Sequence, residues 1–188
     1  MILKNPSFLN LKLNLANYGA IRPKAWTKIL AHLKEAELKV DESFNREIGS
    51  IVYVANGLLK EYDAQLRKKP SITNFISAGN FLITSKHNQS KYFKAITGTT
   101  LVYLEFDDLF SIFYKYNELK PIYDSILANY EEGISFRYIL LEERITEVRI
   151  QQFITKHRAI LSILKRKDIA NYINLEYNYF IRKYGKLL

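Results

Sequence analysis

Residues 51–60 read IVYVANGLLK, and their pattern indicates a fold rich in β-strands. Before Asn56-Gly57, the side chains of Ile51, Tyr53 and Ala55 alternate with those of Val52 and Val54, and the pattern continues after the pair from Leu58. A period of two is typical of β-strands. Asn and Gly both tolerate a positive φ, so the Asn56-Gly57 pair favours a tight hairpin turn. The stretch therefore predicts two antiparallel strands joined by a hairpin.

More short strands are predicted towards the C-terminus, separated by turns rich in Gly, Pro, Asn and Ser. Many short strands with regular turns are typical of a closed antiparallel sheet, either a barrel or a roll. The predicted strands are Ser71–Ile76, Phe81–Thr84, Tyr92–Ile96 and Leu101–Phe106.

Helical periods flank the predicted sheet on both sides. Pro23–Leu33 predicts a short helix, because proline is tolerated in a first turn and apolar residues recur three or four positions apart. On the other side, Asp107 or Asp108 is predicted to cap a second helix. Strands and helices in this order indicate an α+β fold.

A long helix is predicted after Pro121, with an apolar stripe spaced by threes and fours. Such a stripe is long enough to pack against a partner helix, which predicts a dimerisation helix. The alternative is that the stripe packs on the chain's own sheet. Gly133 interrupts the pattern and indicates either a kink or a close helix–helix approach. The stripe consists of Ile122, Ile126, Tyr130, Ile134, Tyr138 and Leu141.

The C-terminal segment, residues 145–188, is helical in pattern and strongly basic. It contains nine Lys or Arg and three Asp or Glu, a net charge of +6 out of +9 for the chain. A polyanion is the natural partner of such a segment, and a solvated basic face is the alternative. Residues 166–168 are predicted as a polar break. Asn174 is predicted as the turn of a helix-turn-helix unit.

Several classes of site are excluded or disfavoured by the sequence. The absence of cysteine excludes disulfides, thiolate metal sites and iron–sulfur clusters. The three histidines form no metal-binding pattern, and no phosphate loop or nucleophile elbow occurs. We therefore expect no enzyme activity, no metal and no cofactor. No signal peptide or membrane span is expected either, so we expect the protein in the cytoplasm.

Four segments resemble the Crp/Fnr family of transcription regulators. Residues 51–60 resemble the family's "yfv–sGllr" hairpin, and Gly79-Asn80-Phe81 resembles its Gly-[Asp/Glu]-Phe turn. Residues 94–106 resemble the stretch that returns to the roll and leads into the dimer helix. Residues 168–173, DIANYI, resemble the first helix of the DNA-binding unit. The resemblance extends from about Trp26 to the C-terminus and rests on the order and spacing of the segments.

This resemblance implies three units in one chain. They are a β-roll sensor domain with an N-terminal helix (1–118), a dimerisation helix (119–144) and a helix-turn-helix DNA-binding domain (145–188). The implied fold is α+β, with an antiparallel cyclic-nucleotide-binding-like roll followed by helices. The implied function is a transcription regulator that binds double-stranded DNA as a homodimer and responds to a signal in the roll.

One departure from the family lies in the segment expected to bind a ligand. Family members that bind a cyclic nucleotide hold the cyclic phosphate with a Gly-Glu pair at a short helix and a following arginine. Here Asn80 stands where the acid is expected, and residues 79–93 contain Lys86 and Lys91 but no arginine. We therefore expect a degenerate family member without tight cyclic nucleotide binding, with room for an unknown small-molecule effector. The ligand-pocket candidates are Gly79, Asn80, Phe81 and Lys91.

A second departure lies in the expected recognition helix. Family members often carry a Ser-Arg pair there, and matching by spacing puts Phe180 and Ile181 at those places. The alternative function is therefore a dimeric sensor or scaffold that has lost sequence-specific DNA binding. If Phe180 and Ile181 pack inward, the helix is structural, and if they are exposed, they are expected to bind a protein partner. The phosphate candidates are Lys165, Arg166, Lys167, Arg182 and Lys183, and the base-edge candidates are Tyr177, Asn178 and Arg182.

Overall fold

A computed structural model describes residues 6–44, 48–65, 69–84 and 90–186. Its described part contains two four-stranded antiparallel sheets and seven helices. The predicted class, an antiparallel β-roll followed by helices, is confirmed. The strands are β1 (Lys34–Leu38), β2 (Ser43–Phe44), β3 (Ile51–Asn56), β4 (Leu58–Asp63), β5 (Ser71–Ser77), β6 (Phe81–Ile83), β7 (Lys91–Ala95) and β8 (Thr99–Leu104). The helices are α1 (Pro6–Ala16), α2 (Pro23–His32), α3 (Phe106–Lys115), α4 (Leu119–Glu142), α5 (Thr146–Lys156), α6 (Arg166–Tyr172) and α7 (Tyr177–Tyr184).

The two sheets have the strand orders β1-β8-β3-β6 and β2-β7-β4-β5. Consecutive strands therefore alternate between the sheets, except at the hairpin formed by β4 and β5. This alternation wraps the chain into a roll, with the apolar sides of both sheets facing each other.

The turn at Asn56-Gly57 does not close a hairpin, so that prediction is wrong. β3 pairs with β6 and β8, whereas β4 pairs with β5 and β7. The chain turns a corner here and passes from one sheet to the other. Gly57 has a φ of +92°, and a Cβ atom at this position would lie 2.5 Å from the carbonyl oxygen of Gly98. Glycine is needed for both the backbone conformation and the close approach.

Helices α1, α2 and α3 and the first half of α4 cover the sheet that contains β3 and β8. The pattern of the sequence does not predict α1, β1 or β2, whereas α2 ends within one residue of its prediction. Glu105, not Asp107 or Asp108, is the N-cap residue of α3, and both aspartates lie in the first turn. Trp26, Ile29 and Ile112 join the apolar core of the roll from these helices.

The stripe on α4 packs mainly on the chain's own roll, as in the alternative interpretation. Ile122, Ile126 and Tyr130 are buried in the roll's core, so their assignment to a dimer face is wrong. Gly133 marks a close approach, but to a strand and not to a helix: a Cβ there would lie 2.8 Å from Nδ2 of Asn74 on β5. Ile134 is half-buried against the same core, Leu141 is half-buried, and Tyr138 is exposed.

A second apolar core joins the roll to the C-terminal helices. Leu58, Ile72 and Phe75 of β4 and β5 contribute to it from the roll. The other side of this core comes from α5, α6 and α7, with the end of α4. The buried side chains on that side include Leu140, Ile150, Phe153, Ile169, Tyr172, Ile173, Phe180 and Tyr184. Because one core spans both parts, the roll fixes the position of the C-terminal helices.

Within the described residues, no helix combines the length and the apolar character needed to cross a bilayer.

Candidate nucleic-acid interface

Helices α6 and α7 form a compact pair joined by a short turn at Asn174. Asn174 has a φ of 55°, a left-handed conformation that asparagine tolerates better than most residues. The carboxylate of Glu176 then caps α7 by accepting hydrogen bonds from the backbone N–H groups of Asn178 (3.0 Å) and Tyr179 (2.8 Å). These hydrogen bonds lower the pKa of Glu176. Residues 166–168 form the first turn of α6 and are not a break, so that expectation is wrong.

Helix α7 has an inner and an outer face. Phe180 is fully buried and Tyr184 nearly so, whereas Ile181 is half-buried against the same core. Phe180 therefore cannot reach a DNA groove. This contradicts the match by spacing, which put Phe180 at a position where family members carry a base-reading pair. The outer face presents Asn178 and Arg182, which lie one helical turn apart and are both exposed.

Exposed cations at the start of α6 border this outer face. Arg166 and Lys167 are exposed, and Nζ of Lys167 lies 5.8 Å from the ring centroid of Tyr177 at the start of α7. Tyr177 itself is 37% exposed. Lys165 is also exposed, but its Nζ lies 3.6 Å from a carboxylate oxygen of Asp41 in the roll. The structure thus brings Arg166, Lys167, Tyr177, Asn178 and Arg182 into one basic edge, called here the α6–α7 edge.

Lys183 occupies a different side of α7. Its Nζ donates a 2.5 Å hydrogen bond to Glu147 of α5, and this contact raises the pKa of Lys183 and lowers that of Glu147. Lys183 therefore helps to fasten α7 to α5, and much of its charge is already balanced by the carboxylate.

Polar contacts between α6 and the roll were not predicted from the sequence. Nζ of Lys60 on β4 donates a hydrogen bond to Asp168 over 3.0 Å, and both side chains are buried. Asn171 accepts a hydrogen bond from the backbone N–H of Ile72 (2.6 Å) and donates one to the carbonyl oxygen of Pro70 (3.1 Å). Lys60 in the middle of β4 is the one local signal, and it does not identify its partner 108 residues away.

The ligand-pocket candidates do not form a phosphate site with one another. Nζ of Lys91 lies 3.0 Å from a carboxylate oxygen of the buried Glu61, so its charge is already matched. Gly79 adopts a φ of +87° in the turn before β6, and Phe81 packs against Tyr53. Asn80 donates a hydrogen bond to the carbonyl oxygen of Ser77. Lys86 lies outside the described residues.

In the ranges that the structure describes, no three His, Asp or Glu side chains come together as a metal site. His32 instead lies 2.6 Å from Asp108 across α2 and α3. His87 lies outside the described residues.

Comparison with known proteins gives no match to a family model and none to a curated protein. Solved structures, in contrast, match most of the chain. FixK2 from Bradyrhizobium japonicum has a TM-score of 0.70 and 16% identity, over 82% of this chain and 84% of FixK2. A protein from Eubacterium rectale described as a transcriptional regulator of the Crp/Fnr family has a TM-score of 0.68 and 12% identity, over 87% and 82% of the two chains.

A third likeness covers an even larger share of the neighbour. The c-di-GMP-responsive global regulator CLP from Xanthomonas campestris has a TM-score of 0.66 and 13% identity, over 88% of this chain and 91% of CLP. The second of these proteins is described as a transcriptional regulator and the third as a global regulator. At such low identities the likeness concerns the fold, and it extends over more than four fifths of this chain. The chain thus has the fold of the Crp/Fnr transcription regulators.

Proposed function

We propose that this protein is a transcription regulator that binds double-stranded DNA as a homodimer. The observation that carries the proposal is the α6–α7 edge, where Asn178 and Arg182 are exposed on the second helix of a helix-turn-helix unit. Arg182 suits a guanine edge and Asn178 an adenine edge, and the cations of α6 suit phosphates. Because Phe180 packs into the core, the exposed Asn178 and Arg182 are the base-reading candidates of this helix.

The dimer is proposed to form through the outer face of α4, and not through the stripe that packs on the roll. Tyr138 and Ile139 are 59% and 65% exposed near the end of this helix. Exposed large apolar side chains next to each other are typical of an interaction surface. Pairing of α4 with its copy would place the two recognition helices on one side of the dimer, as needed to read half-sites about 34 Å apart.

The proposal is tested by fluorescence anisotropy with labelled duplexes over a salt series. One set comprises fragments from the region upstream of the protein's own coding sequence, and the other comprises randomised duplexes. We expect tight binding to a particular fragment and a steep dependence on salt, since each phosphate contact adds about 0.9 to the slope of log K against log salt. Arg182→Ala is expected to weaken binding to that fragment by about 1–3 kcal/mol.

Lys28→Ala is the matched control, because Lys28 is an exposed cation on α2, away from the α6–α7 edge. It is expected to leave the binding unchanged. Weak binding that is equal on all fragments would mean that the α6–α7 edge binds polyanions without reading a sequence. No binding at low salt would instead favour the sensor or scaffold.

A further inference from the structure

Helix α6 is attached to the edge of the roll that β5 forms. β5 is the last strand in the order β2-β7-β4-β5, and an edge strand presents N–H and C=O groups that need partners from elsewhere. The amide oxygen of Asn171 accepts a hydrogen bond from the N–H of Ile72 over 2.6 Å, and its amide nitrogen donates to the carbonyl oxygen of Pro70 over 3.1 Å. The side chain therefore takes the place that the backbone of a neighbouring strand would have.

A buried ion pair attaches the same face of α6. Asp168 and Asn171 are three positions apart and therefore lie on one side of the helix. Nζ of Lys60 on β4 lies 3.0 Å from Asp168, and both side chains are buried. The neighbouring pair of Lys165 and Asp41 is exposed, and solvent screening leaves it little effect. Asn171, Asp168 and Lys60 are called here the roll–α6 clamp.

Helix α4 holds the end of α6. Nε of Arg137 donates a hydrogen bond over 2.9 Å to the carbonyl oxygen of Tyr172, at the C-terminus of α6, where carbonyl groups lack partners within the helix. The ring of Tyr172 lies in the second core, with its centroid 5.2 Å from that of Phe75 on β5. Two attachment points define the direction of a helix and a third defines its rotation. These contacts together define a single orientation of α6 relative to the roll and α4.

The orientation of α6 sets the orientation of α7. A hydrogen bond of 2.9 Å from the backbone N–H of Leu175 to the carbonyl oxygen of Ala170 closes the turn between the two helices. Phe180 of α7 packs into the same core as Ile169 and Tyr172 of α6. The two helices therefore behave as one body, and the clamp on α6 determines the direction in which the α6–α7 edge points.

We propose that the roll–α6 clamp fixes the direction of the recognition helix and thereby sets the half-site spacing that the homodimer accepts. Base-reading side chains need to lie within about 0.5 Å and 10–20° of their best placement. One added base pair moves a half-site by about 3.4 Å and turns it by about 35° around the DNA axis. A clamped helix cannot follow such a change, whereas a released helix can. The effect on spacing rests on the proposed function, but the effect on the helix does not.

Two variants release the clamp in different ways. Asn171→Ala removes both hydrogen bonds to the edge of β5, and Lys60→Met with Asp168→Leu removes the ion pair without leaving a buried charge unpaired. Ile29→Val is the matched control, because Ile29 is buried in the core of the roll and the loss of one methyl group destabilises the fold modestly. If the clamp residues only stabilise the fold, all three variants behave alike.

The first test measures DNA binding by fluorescence anisotropy. The probes are the upstream fragment that binds most tightly, with its half-sites located by footprinting, the same fragment with one base pair inserted or removed between the half-sites, and a single half-site. For the wild type and Ile29→Val, we expect each change of spacing to weaken binding at least about tenfold. For both clamp variants we expect a loss of about threefold or less, with unchanged affinity for the single half-site because the reading side chains are intact.

The second test needs no DNA and uses the absence of cysteine from the chain. Lys28→Cys on α2 and Lys186→Cys after α7 place spin labels at two exposed positions. Electron–electron double resonance then measures the distribution of distances between the labels, with labelled chains diluted in unlabelled ones so that each dimer carries at most one labelled copy. We expect a narrow distribution for the otherwise unchanged chain and for Ile29→Val, and a broader one for both clamp variants.

The inference is overturned if both clamp variants keep the narrow distribution, or if they bind DNA but lose as much affinity as the wild type at each changed spacing. A distribution that broadens only in the clamp variants, in a protein that binds no DNA, would retain the clamp and reject the proposed function. DNA binding with the same narrow distribution in every variant would retain the regulator and reject the clamp.

Discussion

His157 is the residue whose protonation has the largest predicted effect on stability. Its ring is surrounded by Phe75, Phe136, Phe153 and Tyr172, and this burial lowers the pKa from 6.5 to about 4. Between these two values the unfolded chain binds a proton that the folded chain does not, so the free energy of unfolding falls as the pH falls. From pH 7 to pH 5 the loss from this group is about 2 kcal/mol.

Urea unfolding at pH 7 and pH 5 isolates this contribution when it is run on the wild type and on His157→Phe. Carboxylates contribute equally to both proteins, so the variant is expected to lose about 2 kcal/mol less than the wild type. An equal loss in the two proteins would show that His157 titrates normally.

Lys60 and Asp168 illustrate a charge pair that only the folded chain brings together. Burial disfavours the ionised Lys60 more than any single contact favours it, but the hydrogen bond and charge of Asp168 together with Tyr62 outweigh the burial, and the pKa of Lys60 is raised. Removal of Lys60 leaves the carboxylate of Asp168 buried and unpaired, which typically costs about 3–5 kcal/mol, whereas removal of Asp168 leaves the buried Lys60 only the exposed Asp41, whose carboxylate oxygen lies 4.0 Å from Nζ. We therefore expect Asp168→Asn and Lys60→Met each to destabilise the fold strongly in urea titrations.

The double variant Lys60→Met with Asp168→Leu is the control for this pair. Because no unpaired charge remains, it is expected to be much more stable than the sum of the single changes indicates. Strict additivity of the two losses would contradict direct pairing between Lys60 and Asp168.

At the scale of elements, Gly133 shows how a helix accommodates a strand. A methyl group at this position would lie 2.8 Å from the Asn74 side chain, so Gly133→Ala requires the buried Asn74 side chain or α4 to shift. Overpacking costs about 1–3 kcal/mol, and the gain of about 1 kcal/mol in helix propensity opposes it. We expect Gly133→Ala to lower the free energy of unfolding, as measured by urea titration.

We expect the change in the free energy of unfolding caused by Gly133→Ala to reverse its sign when the Asn74 side chain is shortened. In an Asn74→Ala background the added methyl group has space, and the propensity gain then stabilises the helix by up to about 1 kcal/mol. The same loss in both backgrounds would mean that Asn74 is not what Gly133 accommodates.

Element types were predictable where a strong period and turn chemistry act locally. β3, β4, β5 and α5 follow such patterns, and the two helices around Asn174 were predicted from a single turn residue. Pairing was not predictable, because Asn56-Gly57 marks a turn but does not say which strands bond across it. The start of α6 was missed because the polar residue Asp168 points inward, towards a partner in a distant strand.

At the scale of the whole molecule, the second core is the feature that the sequence least reveals. Phe75 of the roll stacks near Tyr172 of α6, with ring centroids 5.2 Å apart, and Arg137 of α4 donates a hydrogen bond to the carbonyl oxygen of Tyr172. The excess of Lys and Arg in residues 145–188 did indicate that a polyanion-binding surface lies in the C-terminal segment. The α6–α7 edge, however, requires the inward orientation of Phe180, and that depends on the roll.

The outer face of α4 carries the prediction that belongs to the assembly. Tyr138 and Ile139 are exposed in the single chain, so replacing both with glutamate leaves the fold intact but puts like charges at the proposed dimer interface. We expect the variant Tyr138→Glu with Ile139→Glu to sediment as a monomer where the wild type sediments as a dimer. Its affinity for a two-half-site fragment is expected to fall by about 10² or more, because the two recognition helices no longer bind together.

Phe110→Glu is the matched control for this double change, since Phe110 is 63% exposed on α3, on a different part of the surface. It is expected to leave the dimer and the DNA affinity unchanged. A dimer that survives the changes on α4 but dissociates with Phe110→Glu would move the interface to α3. The two recognition helices would then be related by a different axis, and the half-site spacing derived from α4 pairing would no longer hold.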